Sequence, residues 1–399
     1  MDEVFKGSFT QQEPIPEDAI QAAVEVMRSG RLHRYNVSKD EIDQTASLEV
    51  EFSKLVGSKY ALAVASGGYA LGCALRAVGV QTGDLVLSNG FTLAPVPGAI
   101  SGVGARPIFV DTMENLTIDF SDLELKINKT GAKTLLLSHM RGHICDMDSL
   151  MEICNRNNVV VVEDCAHTMG ASWRGVVSGR HGIVGCYSCQ TYKHINSGEG
   201  GFLVSDDEKI MAKAVILSGS YMLYGRHKAA PSEAAYDQIK LYTPNISGRM
   251  DNLRAAILRP QLERLSDRVN DWNDRYRVIE SSIRNTPNIK VIEREVDEHF
   301  VGSSFQFAMP KLERKKIEKF VHACGERGVE LKWFGAPEPK AFTSRYDSWA
   351  YAVSERLERT DKILAGLIDM RLPLTFSLKD CQLIGRIICN EAIKIKLEN

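Results

Sequence analysis

The stretch VVVVEDCAH, Val159 to His167, is four β-branched apolar residues running straight into two carboxylates. So apolar a run, without alternation, predicts a strand buried on both faces, the kind found in parallel sheets covered by helices. A carboxylate at the tip of such a strand is costly unless it is paired. Two accounts fit. Asp164 can cap the turn that follows while His167 is a satisfied histidine, or both can face a bound ring whose nitrogen needs an acid.

Working outward, Thr134–Ser138 (TLLLS) predicts a neighbouring strand, with Asp148–Asn155 helical between the two. Upstream, Tyr60–Ala65, Leu85–Ser88 and Arg106–Val110 read as strands, and Tyr69–Val78 and Ala94–Gly102 as helices. Ile183–Ser188 and Gly201–Val204 continue the series downstream. The alternation predicts an α/β fold with a mainly parallel central sheet flanked by helices. Ser218–Ser247 is polar and irregular, too long for a connector, which marks it as functional or as a subunit contact. Asp251–Arg284 predicts a long helix interrupted at Pro260. Ile289–Glu293 and Ser303–Met309 then read as strands, Lys315–Arg327 and Cys381–Lys396 as helices. A large domain over 1–255 and a smaller C-terminal α+β domain over 256–399 suit a chain of 399 residues.

Composition narrows the partners. With 44% hydrophobic and 25% charged residues and a net charge of −2, the chain has no field to attract nucleic acid or an anionic membrane. Its apolar runs are far shorter than a membrane span, and MDEVFKGSFTQQEPIP lacks the plan of a signal peptide. A cytoplasmic protein acting on a small molecule is expected. The 9 cysteines are odd in number and scattered, as reduced, buried side chains would be. Cys186 and Cys189 have redox-like spacing, but no second pair completes a zinc site. His139 and His143 lack the glutamate of a zinc-protease helix. No metal is expected.

Three strand ends carry chemistry. Ser66-Gly67-Gly68-Tyr69 follows YALAVA and opens a helix, where glycine lets backbone approach a ligand and free N–H groups suit a phosphate; a plain tight turn is the other reading. Asp164 and His167 form the second. The third is CQTYKHINSGEGG, Cys189 to Gly201, behind Ser188: Lys193 there is either a solvated surface amine or one aimed at a carbonyl. A phosphate cradle, an acid for a ring nitrogen and an amine for an aldehyde together describe pyridoxal 5′-phosphate.

With these residues in hand, the sequence resembles the fold-type I sugar aminotransferases of the StrS/DegT group, from about Gly30 to Leu262. The matching positions include Ser66-Gly67-Gly68, Phe91-Thr92, Phe109-Val110-Asp111, His139 with Gly142, Asp146-Met147-Asp148, Glu163-Asp164 with Ala166-His167, Ser188, Lys193, Gly198-Glu199-Gly200-Gly201 and Arg249-Met250. The resemblance implies that Lys193 carries the cofactor and acts as general base. It sets Asp164 on the pyridine nitrogen, His167 near the phenolic oxygen and Phe91 stacked on the ring. Gly67, Gly68, Tyr69 and Ser188 would hold the phosphate. It also implies a homodimer with shared active sites, the segment of Ser247 and Arg249 reaching the neighbour's cofactor. Gly68 stands where the group usually has Thr, and Ser247 where it has Asn.

The implied reaction moves an amino group from L-glutamate to a carbonyl sugar. Ser29–Ser47, Leu137–Asp148 and Leu217–His227 are similar to transaminases that make 8-amino-Kdo, a lipopolysaccharide sugar, from 8-oxo-Kdo. Such an acidic sugar needs cations, and Arg34, Arg141, Arg226 and Arg249 are the candidates. A nucleotide-linked 3- or 4-keto-hexose is the alternative acceptor. A dehydratase of this fold would carry histidine in place of Lys193, and a non-catalytic cofactor-binding regulatory protein is the reading from another class.

Overall fold

The structure, a computed structural model, describes residues 3–38 and 41–397; Met1, Asp2, Lys39 and Asp40 of the N-terminal stretches read above lie outside them. Seven strands build the main sheet: β1 (Tyr60–Val64), β2 (Leu85–Asn89), β3 (Arg106–Val110), β4 (Thr134–Ser138), β5 (Val160–Asp164), β6 (Val184–Ser188) and β7 (Gly201–Ser205). Their order is β1-β7-β6-β5-β4-β2-β3. From β3 to β6 every neighbour is parallel, and β7 runs antiparallel to both β6 and β1. Buried side chains on both faces account for the unbroken apolar runs in β4 and β5.

Register decides where the chemistry emerges. Ser138 pairs with Asp164 across β4 and β5, and Asp164 with Cys186 across β5 and β6. The carboxyl ends of three adjacent parallel strands therefore open on one edge of the sheet, where ligands bind in such folds.

Helices α1 (Glu17–Ser29) and α2 (Gln44–Val56) pack on α3 (Asn252–Glu263). Those contacts tie residues up to 263 to the large domain, so a boundary at 255/256 would cut a continuous helix. Pro260 lies inside α3 and does not end it. The break falls at Arg264, whose Nη1 donates to the Pro260 carbonyl at 2.7 Å, and α4 (Leu265–Ile283) follows. The second core joins α4 and α5 (Leu378–Leu397) to a four-stranded sheet that contains Ser304–Ala308 and Leu367–Arg371. Phe5 and Phe9 belong to this core too, edge-on to Phe376 with ring centroids 4.9 Å away in each case.

The segment of Arg34 is an internal tie. Arg34 is 1% exposed, and its Nη1 and Nη2 donate to the two carboxylate oxygens of Glu49 at 2.8 and 2.9 Å. Glu49 also accepts from Ala63 N in β1, and His227 sits 3.0 Å from Arg34 Nη2. Burial opposes the Glu49 charge, but Arg34 and His227 outweigh it and bring its pKa down to about 2. Arg34 is thus spent on the fold and has no donor left for a substrate; this corrects its expected substrate role. Arg226 is exposed on a short 3₁₀ turn and donates to the Val37 carbonyl, outside the central cavity.

Arg34→Met leaves Glu49 buried with its main counter-charge removed. It is expected to lower the unfolding free energy by about 3–5 kcal/mol, read from chemical denaturation. A raised KM with unaltered stability would instead return Arg34 to the substrate.

Candidate active site

The three strand ends open into one cavity of about 560 Å³, and Ser138, Asp164, His167, Ser188 and Lys193 all line it. Neighbouring residues in β5 face opposite ways. Glu163 points into the protein, where it accepts from the backbone N–H groups of Gly179, His181 and Gly182 and pairs with His139. Asp164 points into the cavity, held by Ser138 Oγ at 3.0 Å and Ala166 N at 3.1 Å. Two adjacent acids are thereby given different work by strand alternation alone.

The glycines around Lys193 have a steric cause. β7 begins at Gly201, wedged between the ends of β1 and β6. A Cβ there would come within 2.7 Å of Gly67 N, and one on Gly67 within 2.7 Å of Ser188 Cβ. Without side chains at both positions, the turn after β1 lies directly on β6. Gly67 then starts the helix Gly67–Val78, capped by Ser66, whose Oγ accepts from Tyr69 N. Gly67 and Gly68 line the cavity with N–H groups that have no partner within the helix.

Lys193 Nζ lies 2.9 Å from His167 Nε2. Burial pushes the amine down to about 8; Arg141 and Arg371 push the same way, and Asp164 opposes them. Burial, with Lys193 and Arg141, also holds the His167 imidazole well below its ordinary range, so it can accept from the amine. The cradle at Gly67 and Gly68 fits a phosphate, the Asp164 carboxylate a protonated ring nitrogen, and the Lys193 amine an aldehyde. Pyridoxal phosphate suits this donor set.

Other expected contacts are placed differently. Phe91 is fully buried, edge-on to Phe334, and does not line the cavity; Leu93 to Val96 do. Tyr69 spends its N–H on Ser66 and its hydroxyl on the Leu217 carbonyl, so the phosphate contact expected of it falls to the glycines. Ser247 and Arg249 line no part of this cavity: Arg249 Nη1 donates to the Gly219 carbonyl at 2.9 Å and to Ser247 Oγ at 3.2 Å. Arg141 does line it. Arg371, Tyr192 and Gln190, which also line it, escaped the sequence reading. A signal for Arg371 existed: Asp369 and Arg371 are two charges on one face of an otherwise apolar strand, LIDMR.

Architecture and site together are those of the fold-type I PLP-transferases. The solved structure of 3-amino-5-hydroxybenzoic acid synthase matches 99% of this chain and 100% of its own with a TM-score of 0.82, at 22% identity. The chain belongs to the DegT/DnrJ/EryC1/StrS aminotransferase family, whose pattern matches residues 14–388. GDP-perosamine synthase of Caulobacter vibrioides is 33% identical over 220 residues, 55% of this chain and 56% of that protein. The pleiotropic regulatory protein of Geobacillus stearothermophilus is 26% identical over 324 residues, 79% of this chain and 80% of that one. This chain spans about half to under two thirds of the length of several curated relatives it matches.

Only a neutral amine attacks an aldehyde, and its share grows as pH rises through its pKa. The rate at which cofactor-free protein takes up pyridoxal phosphate is expected to climb with a midpoint near pH 8, followed by stopped-flow absorbance. A midpoint above pH 10, that of an ordinary lysine, would contradict the environment described for Lys193.

Proposed function

We propose that the protein is a pyridoxal phosphate-dependent aminotransferase that moves the amino group of L-glutamate to a carbonyl sugar. The observation that carries this reading is the Lys193 amine held against His167, in a cavity that also presents Asp164 and the Gly67–Gly68 helix start. Bound pyridoxal phosphate supplies the reactive carbonyl and the electron sink. Asp164, oriented by Ser138 and Ala166, keeps the ring nitrogen protonated. Lys193 takes the α-proton of the donor, and in the second half-reaction it serves the acceptor carbon in reverse. His167 orients the amine by accepting its hydrogen bond. Ser188 closes the phosphate cradle.

For the acceptor we favour 8-oxo-Kdo, giving 8-amino-Kdo for lipopolysaccharide, because Arg141 stands in the cavity. A nucleotide-linked keto-hexose is the second reading, supported by the relative named GDP-perosamine synthase. The relative named as a regulatory protein is the one support for a non-catalytic role, and a buried amine with a depressed pKa speaks against it. Arg249 and Ser247 belong to a second copy's site in this reading. Exposed Tyr221, Met222, Leu241 and Tyr242 beside them suit a homodimer interface. All nine cysteines are free, in keeping with the cytoplasm, and no helix among the described residues is long and apolar enough to cross a membrane.

L-glutamate is expected to convert the protein-bound cofactor to its aminated form with release of 2-oxoglutarate, and 8-oxo-Kdo to restore the starting spectrum. Lys193→Ala should lose turnover by about 10²–10⁴-fold or more. Restoration by a GDP-linked 4-keto sugar and not by 8-oxo-Kdo would overturn the acceptor, and no response to glutamate would overturn the reaction.

A further inference from the structure

The wall of the cavity formed by the smaller domain holds more positive charge than the protein balances. Arg141 is 8% exposed and has a φ of +56°, an uncommon conformation for a side chain this large. Its guanidinium makes no hydrogen bond among the described residues, and Nε and Nη2 are both buried and unsatisfied. Nη2 does lie 2.8 Å from Asp369 Oδ2. That is an ion pair whose direction misses the hydrogen-bond axis, so charge is offset while the donors stay open. Asp369 itself is shared, since its Oδ1 accepts from Gln306 Nε2 at 2.8 Å.

Arg371 follows Asp369 by two residues on the same strand and therefore on the same face. Its guanidinium lies 3.5 Å from the centroid of the Tyr192 ring, and no carboxylate of the described residues pairs with it. A third cation, Lys332, is opposite Asp369 in the neighbouring strand, its Nζ 5.2 Å from the ring of Phe342 at the cavity. Three cations thus surround one carboxylate. Buried guanidinium donors without acceptors are expensive, and a planar pair of this kind matches a carboxylate in two-pronged fashion.

We infer that Arg141 and Arg371 form a carboxylate subsite which holds the donor amino acid in the first half-reaction and the acceptor sugar in the second. The inference rests on the aminotransferase reading and narrows it. Two substrates that react in turn at one Lys193 must fit the same walls. An acceptor with no anion at this place would leave both guanidinium groups dry and unpaired, so the site selects sugars that carry a carboxylate near the reacting end. The Tyr192 ring keeps Arg371 flat and preorganised for the second anion. Lys193 is coupled to the subsite as well: Arg141 and Arg371 both depress its pKa, and a bound carboxylate would relieve that effect.

Glutarate, which has carboxylates but no amine or carbonyl to react, is the probe. Calorimetric titration of the cofactor-loaded protein is expected to show binding that glutaramide, its neutral analogue, does not reproduce. Arg371→Met should raise the glutarate Kd about tenfold or more, with Arg371→Lys between the two, while the thermal midpoint without ligand stays that of the wild type. Arg141→Met should weaken glutarate in the same direction. Equal glutarate affinity in wild type and Arg371→Met would overturn the subsite. So would tight binding of UDP that is lost in Arg371→Met while glutarate is indifferent, because the arginines would then serve a diphosphate. Failure of the aminotransferase reading shows separately, as a wild type that binds glutarate through Arg371 yet gives no spectral response to L-glutamate.

Discussion

An amine that must be neutral to act shares a small, water-poor cavity with two guanidinium groups and one opposing carboxylate. That balance at Lys193 governs much of the surrounding architecture. Burial and the arginines favour the neutral amine, while Asp164 stops the shift from going further. His167, itself kept uncharged by burial, accepts the amine's hydrogen bond without adding a competing cation. Moving any of these groups would change the proton affinity of the one atom on which the chemistry turns.

The sheet exists to hold that balance in register. β4, β5 and β6 run parallel and end together, so Ser138, Asp164 and Ser188 emerge side by side. The antiparallel strand β7 then returns the chain beneath the helix start, which is possible only because Gly201 and Gly67 carry no side chain. The glycine-rich run after Lys193 is therefore a packing requirement as much as a turn. The large domain provides the cofactor end of the cavity. The smaller domain closes the other end with Ser303, Ser304 and Arg371.

How much of this could be read from the chain depended on whether a signal was local. Apolar runs in β4 and β5 exposed the buried parallel sheet because burial on both faces leaves its mark in consecutive residues. Ser66-Gly67-Gly68, Asp164 and Lys193 were legible as a set because each follows a strand. Arg34 misled because a surface cation and a buried one look alike in sequence, and its partner Glu49 is fifteen residues away across a helix. Phe91 and Tyr69 sat at plausible positions, but side-chain direction is set by packing against Phe334 and Leu217, which no local pattern reveals. Arg371 was missed for a similar reason. Its place in the cavity depends on the smaller domain folding over the larger one, a contact between residues far apart in the chain.

The most direct measurement is borohydride reduction of the purified protein after incubation with pyridoxal phosphate, followed by peptide mass mapping. The account predicts a single pyridoxyl adduct, on Lys193, within the peptide that spans CQTYKHINSGEGG. An adduct spread over surface lysines, or none at that position, would contradict it.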